Sequence, residues 1–205
     1  MTVLSMPRHP VTSKALQMAR TWCAGYVIDG APALWHAVRV ALTLGEHIPD
    51  ATPELVAAAL LHDAPEFAPA NEDLDTMLTA QLGPSIARVV RAIEREHQAL
   101  SLQAEPAVPI DDLATLYVSA ADKIVSLTSI LRRAATANDP GSYWQTRGPF
   151  LALVPYFRLF STLAGPHLPA TMAAELERLV TTAELARCRA GLPPQGATAA
   201  SRAPI

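Results

Sequence analysis

The segment Ala57-Ala58-Ala59-Leu60-Leu61-His62-Asp63-Ala64-Pro65-Glu66 constrains this chain more than any other. An apolar run ends abruptly in an imidazole and a carboxylate side by side, followed by a proline and a second carboxylate. Burying a carboxylate at the end of an apolar segment is costly unless it is paired or bound to a metal. Histidine and aspartate together supply a nitrogen and an oxygen ligand for a divalent ion. The dipeptide therefore reads as the centre of a metal site whose remaining ligands must come from elsewhere in the chain.

At 205 residues the chain is sized for one domain with a full core. Half of it is apolar, much of that alanine, which suits closely packed helices. The net charge of −3 and the lack of any Lys/Arg block argue against nucleic acid or an anionic membrane as partner. Cys23 and Cys188 lack CxxC spacing and fall in helix-like segments, which suits a reducing, cytoplasmic compartment. No stretch reaches the roughly 18–20 uninterrupted apolar residues of a spanning helix, so a soluble protein is expected.

Residues 1–10 read as a loose leader, 11–190 as the domain, and 191–205 as a disordered Pro/Gly/Ala tail. Helical spacing covers Ser13 to Ala24, after which Gly25 and Gly30 bracket a loop. A helix from Pro32 to Leu44 is expected to stop at Gly45. Thr52-Pro53-Glu54 is a start signal for a short helix ending at His62-Asp63, with Pro65 disfavouring helical geometry at Ala64. Asn71 is expected to cap the next helix, with Glu72 and Asp73 as first-turn acids and Gly83 at its end. Pro84 restarts a helix of about 15 residues, and residues 101–109 read as a linker. Leu113 to Leu131 is apolar around nearly its whole circumference, the mark of a buried central helix. Its only charges are Asp122 and Lys123. Asn138-Asp139-Pro140-Gly141 reads as a turn. A helix interrupted by Pro149 and Pro155 and a final one from Pro169 to Ala190 complete the chain. With no strand alternation and no repeat, the fold class is all-α.

Four polar residues lie in segments that otherwise favour burial: His36, His62, Asp63 and Asp122. Singly, each has an ordinary explanation as a core histidine or a solvated helix end. Jointly, two imidazoles and two carboxylates on three apolar helices suit one divalent ion: Mn²⁺ first, with Co²⁺, Fe²⁺ and Zn²⁺ as alternatives. Four protein ligands leave positions on an octahedral ion for water and a phosphate oxygen.

This ordered set resembles the H…HD…D signature of the HD superfamily of metal-dependent phosphohydrolases, a helical bundle with its metal site in the core. The layout is similar to that of the alarmone hydrolases of the Rel/Spo type over roughly residues 13 to 185. Cys23 to Pro32 and His36 to Ala41 look like their first-histidine region, Leu60 to Glu66 like their HDxxE(D) motif, and Ala121 to Leu127 like their last-ligand helix. The resemblance implies hydrolysis of a phosphate ester or pyrophosphate bond of a nucleotide or related small phosphate ester. Asp63 and Glu66 would be catalytic, Glu66 handling a proton. Lys123, Arg20, Tyr26, Arg39 and Ser126 are the implied substrate contacts, with an ion pair elsewhere equally open for Lys123. Trp22, Trp35 and Phe67 read as core, while His47, His97 and His167 match no part of the signature and read as surface or structural.

Departures from the alarmone pattern are specific. Arg20 is the only basic residue between Lys14 and Arg39, where that family carries a basic cluster. Phe67 replaces the second acid, and Ser126 stands where an asparagine is usual. These changes favour a substrate less charged than a guanosine tetraphosphate, and the lone glutamate also resembles HD-type nucleotidases. A non-catalytic nucleotide-binding or regulatory HD protein is the competing reading, and homo-oligomer formation stays open.

Overall fold

The computed structural model describes residues 2–28, 30–69, 73–102, 104 and 107–191. The elements in order are α1 (Pro10–Trp22), a ribbon of β1 (Val27–Ile28) and β2 (Ala31–Pro32), α2 (Ala33–His47), α3 (Pro53–Leu60), α4 (Ala64–Phe67), α5 (Leu74–Leu82), α6 (Pro84–Ser101), α7 (Leu113–Thr136), α8 (Pro140–Gln145), α9 (Gly148–Ala164), a 3₁₀ turn (Gly165–His167) and α10 (Ala170–Arg189). The fold is an all-α bundle, as the periodicity implied. The antiparallel ribbon, which pairs Val27 with Pro32 and Ile28 with Ala31, was not anticipated. Its connection passes through Gly30 at φ 74°, and the Asp29-Gly30 dipeptide is the sequence signal for such a hairpin.

The central helix is α7. It buries residues on every side, among them Leu116, Val118, Ile124 and Leu127, and packs against α2, α3, α6 and α10. Its length and composition alone would suit a membrane span, but its apolar surface is covered by neighbouring helices. Helix α3 lies beside it, between α1, α2 and α6. Ala57, Ala58 and Ala59 are all buried there, and their small volume lets three neighbours approach one short helix.

Several starts follow the sequence signals. The Thr52 hydroxyl accepts the Leu55 N–H at 3.2 Å, and Gly83 at φ 100° separates α5 from α6. Others are corrected. Helix α2 runs through Gly45, whose missing side chain is explained by Val3: a Cβ there would lie 2.3 Å from Val3 Cγ1. The glycine admits the N-terminal segment, which also buries Leu4 in the core. The cap of α5 is Asp73, whose carboxylate accepts the Thr76 N–H; Asn71 and Glu72 lie outside the described residues, as do Pro106 and residues 192–205. Ala64 opens α4, because Pro65 occupies a first-turn position where no N–H is required. Asp139-Pro140 starts a helix rather than forming only a turn, and Pro155 sits inside a continuous α9.

Candidate metal centre

Helix α3 ends at Leu60, and the break that follows is what allows His62 and Asp63 to act together. Adjacent residues on an α-helix point about 100° apart and do not face one target. Here Leu61 leaves helical geometry, at φ −117° and ψ 12°, and the chain turns before α4. His62 Nε2 and Asp63 Oδ2 then lie 3.1 Å apart. His62 Nδ1 donates to the Ala59 carbonyl at 2.8 Å, which anchors the ring and turns Nε2 inward.

His36 on α2 and Asp122 on α7 reach the same point. His36 Nε2 lies 3.2 Å from His62 Nε2, 3.1 Å from Asp122 Oδ1 and 3.6 Å from Asp63 Oδ2. His62 Nε2 lies 3.6 Å from Asp122 Oδ1. The Ser126 hydroxyl, one turn along α7, donates to Asp122 Oδ1 at 3.3 Å. The four residues that the sequence singled out are thus gathered from three separate segments.

The electrostatics suit a cation. Burial opposes the charged form of His62, yet the Asp63 and Asp122 carboxylates outweigh it and hold the imidazolium well above its ordinary range. Burial alone would raise Asp122, but the hydrogen bond from His36 and the neighbouring imidazoles of His62 and His97 hold it well below the usual carboxylate range. Asp63 is lowered against the same burial penalty, chiefly by the charge of His62. The field that draws protons onto these imidazoles would equally draw a divalent ion. Two imidazole nitrogens 3.2 Å apart, with two carboxylates around them, form a mixed N/O donor set suited to a first-row divalent metal.

One contributor was missed. His97, on α6, lies at the edge of this centre: Nε2 is 3.6 Å from Asp122 Oδ2, and Nδ1 is 3.6 Å from Asp63 Oδ1 and 3.7 Å from Glu66 Oε1. Burial disfavours its charge, but Asp122 and Glu66 prevail and push it up to about 10. The signal was present in α6. Ile86, Val90 and Ile93 form a buried stripe whose next helical position is His97, a polar group on an apolar face.

The remaining expected contacts divide. Glu66, on α4, is 56 % exposed at its side chain and faces a cleft of about 420 Å³ that Asp63, Glu94, His97, Gln98 and Leu102 also line. Tyr26 is half-exposed and packs its ring on Phe67, with centroids 4.9 Å apart, on the other flank of α4. Arg20 and Arg39 are exposed on α1 and α2, and neither lines the cleft. Lys123 requires correction as a phosphate contact. It is 2 % exposed and points away from Asp122, as neighbours on a helix must. Its ammonium forms a buried ion pair with Glu96 and donates to Ser119 Oγ at 2.8 Å, while the Tyr156 hydroxyl donates to the same Glu96. The Phe160 ring lies 4.4 Å from the Lys123 nitrogen. Trp35, expected in the core, is 65 % exposed on the outer face of α2, whereas Trp22 is buried.

Comparison with known proteins agrees with this fold. No curated protein sequence matches the chain. A solved structure, described as a metazoan orthologue of SpoT that hydrolyzes ppGpp and plays a role in starvation responses, superposes with a TM-score of 0.57 at 15 % identity. The match covers 86 % of this chain and 97 % of that one, and establishes a shared fold. The family model described as HD domain matches residues 15–142, a span that contains His36, His62, Asp63 and Asp122. The chain therefore belongs to the HD domain family.

Proposed function

We propose that this protein is a metal-dependent phosphohydrolase that cleaves a phosphate ester of a nucleotide or a related small phosphate ester. The observation that carries the reading is the convergence of His36, His62, Asp63 and Asp122 beside an open cleft that presents Glu66. Those four residues would hold one divalent ion, with Mn²⁺ favoured. When bound, such an ion supplies charge neutralisation at a phosphoryl group and activation of water near neutral pH.

The protein's own groups supply the rest. Water oxygen attacks phosphorus, the ester P–O bond breaks, and Glu66 takes the proton from the attacking water. Its exposure leaves room to return that proton to the departing oxygen, so one carboxylate serves both halves of the reaction. Asp63 holds its place through the short turn before α4. Ser126 supports Asp122 rather than reaching into the cleft, and Tyr26 with Phe67 offers an apolar aromatic face near α4.

The cleft supports a lightly charged substrate. Among its described lining residues there is no lysine or arginine, Glu66 adds negative charge, Glu94 is paired with Arg91 at 2.6 Å, and His97 is the cationic group at the cleft. The lysine nearest the centre is spent on Glu96. The structural neighbour's substrate, ppGpp, carries more charges than one imidazolium and a bound ion would offset, which favours a mononucleotide or another phosphate monoester. Two free thiols, Cys23 buried and Cys188 exposed, support a reducing, cytoplasmic setting.

The test is release of phosphate and pyrophosphate from a panel of nucleotides and sugar phosphates, with Mn²⁺, Co²⁺ or chelator. Metal-dependent release of free phosphate from monoesters is the expected result. Pyrophosphate release from ppGpp would place the protein with the alarmone hydrolases. Tight metal and nucleotide binding with no turnover would replace the enzyme reading with that of a regulatory binding module.

A further inference from the structure

We infer that the strip of α6 formed by Glu94, Gln98 and Ser101 is the subsite for the leaving group, and that it takes neutral hydroxyl donors, the sugar end of a phosphate monoester. The inference rests on the hydrolase reading for the place of the phosphate, beside His36, His62, Asp63 and Asp122. The cleft there has a volume of about 420 Å³, within the roughly 300–1,000 Å³ of small-molecule sites and more than a phosphate group fills. His62 and Asp63 line it, so it opens onto the centre, and one face of α6 forms its wall. Glu94, Gln98 and Ser101 are spaced four and three residues apart, which puts their side chains on that face.

The hydrogen bonds of the strip decide what it presents. A carboxylate only accepts, so the Gln98 amide must turn Nε2 to Glu94 Oε1, 3.1 Å away. Gln98 Oε1 is left as an acceptor with no donor among the described residues. The Ser101 hydroxyl spends its one hydrogen on the His97 carbonyl at 2.9 Å, which leaves its oxygen to accept. Glu94 is not a free charge. Arg91 Nη1 donates to Glu94 Oε2 at 2.6 Å, and Arg91 Nε donates to Asp75 Oδ1 on α5 at 2.7 Å. The relay from Asp75 through Arg91 and Glu94 holds the Gln98 amide in one orientation.

The strip therefore offers acceptors around a carboxylate that is already paired. His97 faces Asp63, Glu66 and Asp122, toward the centre, so a second phosphate lying on the strip would meet no cation. A purely apolar leaving group would take water from these acceptors and return no hydrogen bond. Neutral hydroxyls satisfy them. Pro65 across the cleft and Leu102 at the end of α6 lend apolar surface to the C–H edges of a sugar.

Gln98 is exposed, so Gln98→Met removes the amide at nearly constant length and keeps the fold. Arg91 does not line the cleft, and Arg91→Met reaches the strip through Glu94, which tests Arg91 as a positioning residue. Calorimetry on the Mn²⁺-loaded full chain carrying Glu66→Gln, to slow turnover, measures Kd for ribose 5-phosphate, adenosine 5′-monophosphate and phenyl phosphate. Both sugar esters are expected to bind more tightly than phenyl phosphate. Gln98→Met should cut that preference by about 3- to 10-fold, the span of one neutral hydrogen bond, and Arg91→Met should cut it by less. The tighter of the two sugar esters tells a free sugar phosphate from a nucleotide as the source of the hydroxyls. No preference for sugar esters, an undiminished preference in Gln98→Met, a loss confined to the adenosine ester, or no ester binding at all overturns the subsite. Selective binding that shifts as expected, in an unmodified chain that releases no phosphate, would leave the subsite standing and refute the hydrolase reading alone.

Discussion

Asp63 and Glu66 are three residues apart, yet they stand in different surroundings. Asp63 is nine-tenths buried between imidazoles, whereas Glu66 stands more than half out of the protein beside the cleft. Removing the first dismantles the donor set; neutralising the second leaves it intact. Asp63→Ala is expected to abolish both turnover and Mn²⁺ binding. Glu66→Gln is expected to keep the ion held by His36, His62, Asp63 and Asp122 while kcat falls by about 10²–10⁴, the usual contribution of a positioned base. Metal analysis and steady-state kinetics on the two proteins decide the matter. Full turnover in Glu66→Gln would remove the residue from the reaction.

The helices set where these side chains stand, and two contacts between elements control them. Glu96 and Lys123 each adjoin a residue of the centre, His97 on α6 and Asp122 on α7, and their buried ion pair ties the two helices in register. Lys123→Met leaves the Glu96 carboxylate buried without its cation, which should cost about 3–5 kcal/mol. Burial works against the Glu96 charge, but Lys123, Tyr156 and Ser119 overcome it and lower the carboxyl below its usual value. A lowered folded pKa gives stability that is present above the unfolded value of about 4.3 and lost as pH falls through the folded one. The Tm of the unmodified protein should therefore drop in acid more steeply than that of the double variant Glu96→Leu/Lys123→Met, which thermal melts from about pH 3 to 7 would show. On α2, Gly45→Ala should gain up to about 1 kcal/mol in helix propensity but lose about 1–3 kcal/mol to overpacking. Val3 Cβ itself lies only 3.1 Å from the added carbon, so rotating its methyls does not relieve the clash. A net loss of Tm, recovered in Val3→Ala/Gly45→Ala, is expected; a rise in Gly45→Ala alone would contradict it. These two contacts also mark the limit of what the sequence discloses. Thr52, Gly83 and the four polar residues that converge were legible because a cap, a left-handed glycine and a charge in an apolar run act locally. Lys123 and Gly45 were not, since the partner that explains each, Glu96 or Val3, lies far off in sequence. His97 falls between these cases: its helical spacing was visible, but its target was not.

At the scale of the molecule, the centre joins segments that the chain order keeps apart: His36 and Asp122 are 86 residues distant. Under the proposed function, a cation bound there would clamp α2, α7 and the turn before α4 at once, and the denatured chain would offer no comparable site. A ligand at 100 times its Kd that binds only the folded form adds about 2.7 kcal/mol, roughly 5–11 °C in Tm for a domain of this length. Protons compete with the ion for the same groups, and this fixes the pH dependence. Without metal, the raised imidazoles of His62 and His97 contribute stability that is fully present below about 6.5. That contribution is lost as pH rises through their folded values, about 10 for His97. With metal the histidines must bind as neutral ligands, so the ion is held more tightly as the pH climbs over the same interval. The two trends run in opposite directions. The gap in Tm between Mn²⁺-loaded and chelator-treated protein should therefore widen from about pH 6.5 to about pH 8.5, which paired melts at the two pH values measure. A gap that stayed constant or narrowed would mean that the ion and the protons do not share these imidazoles, and that the clamp lies elsewhere in the fold.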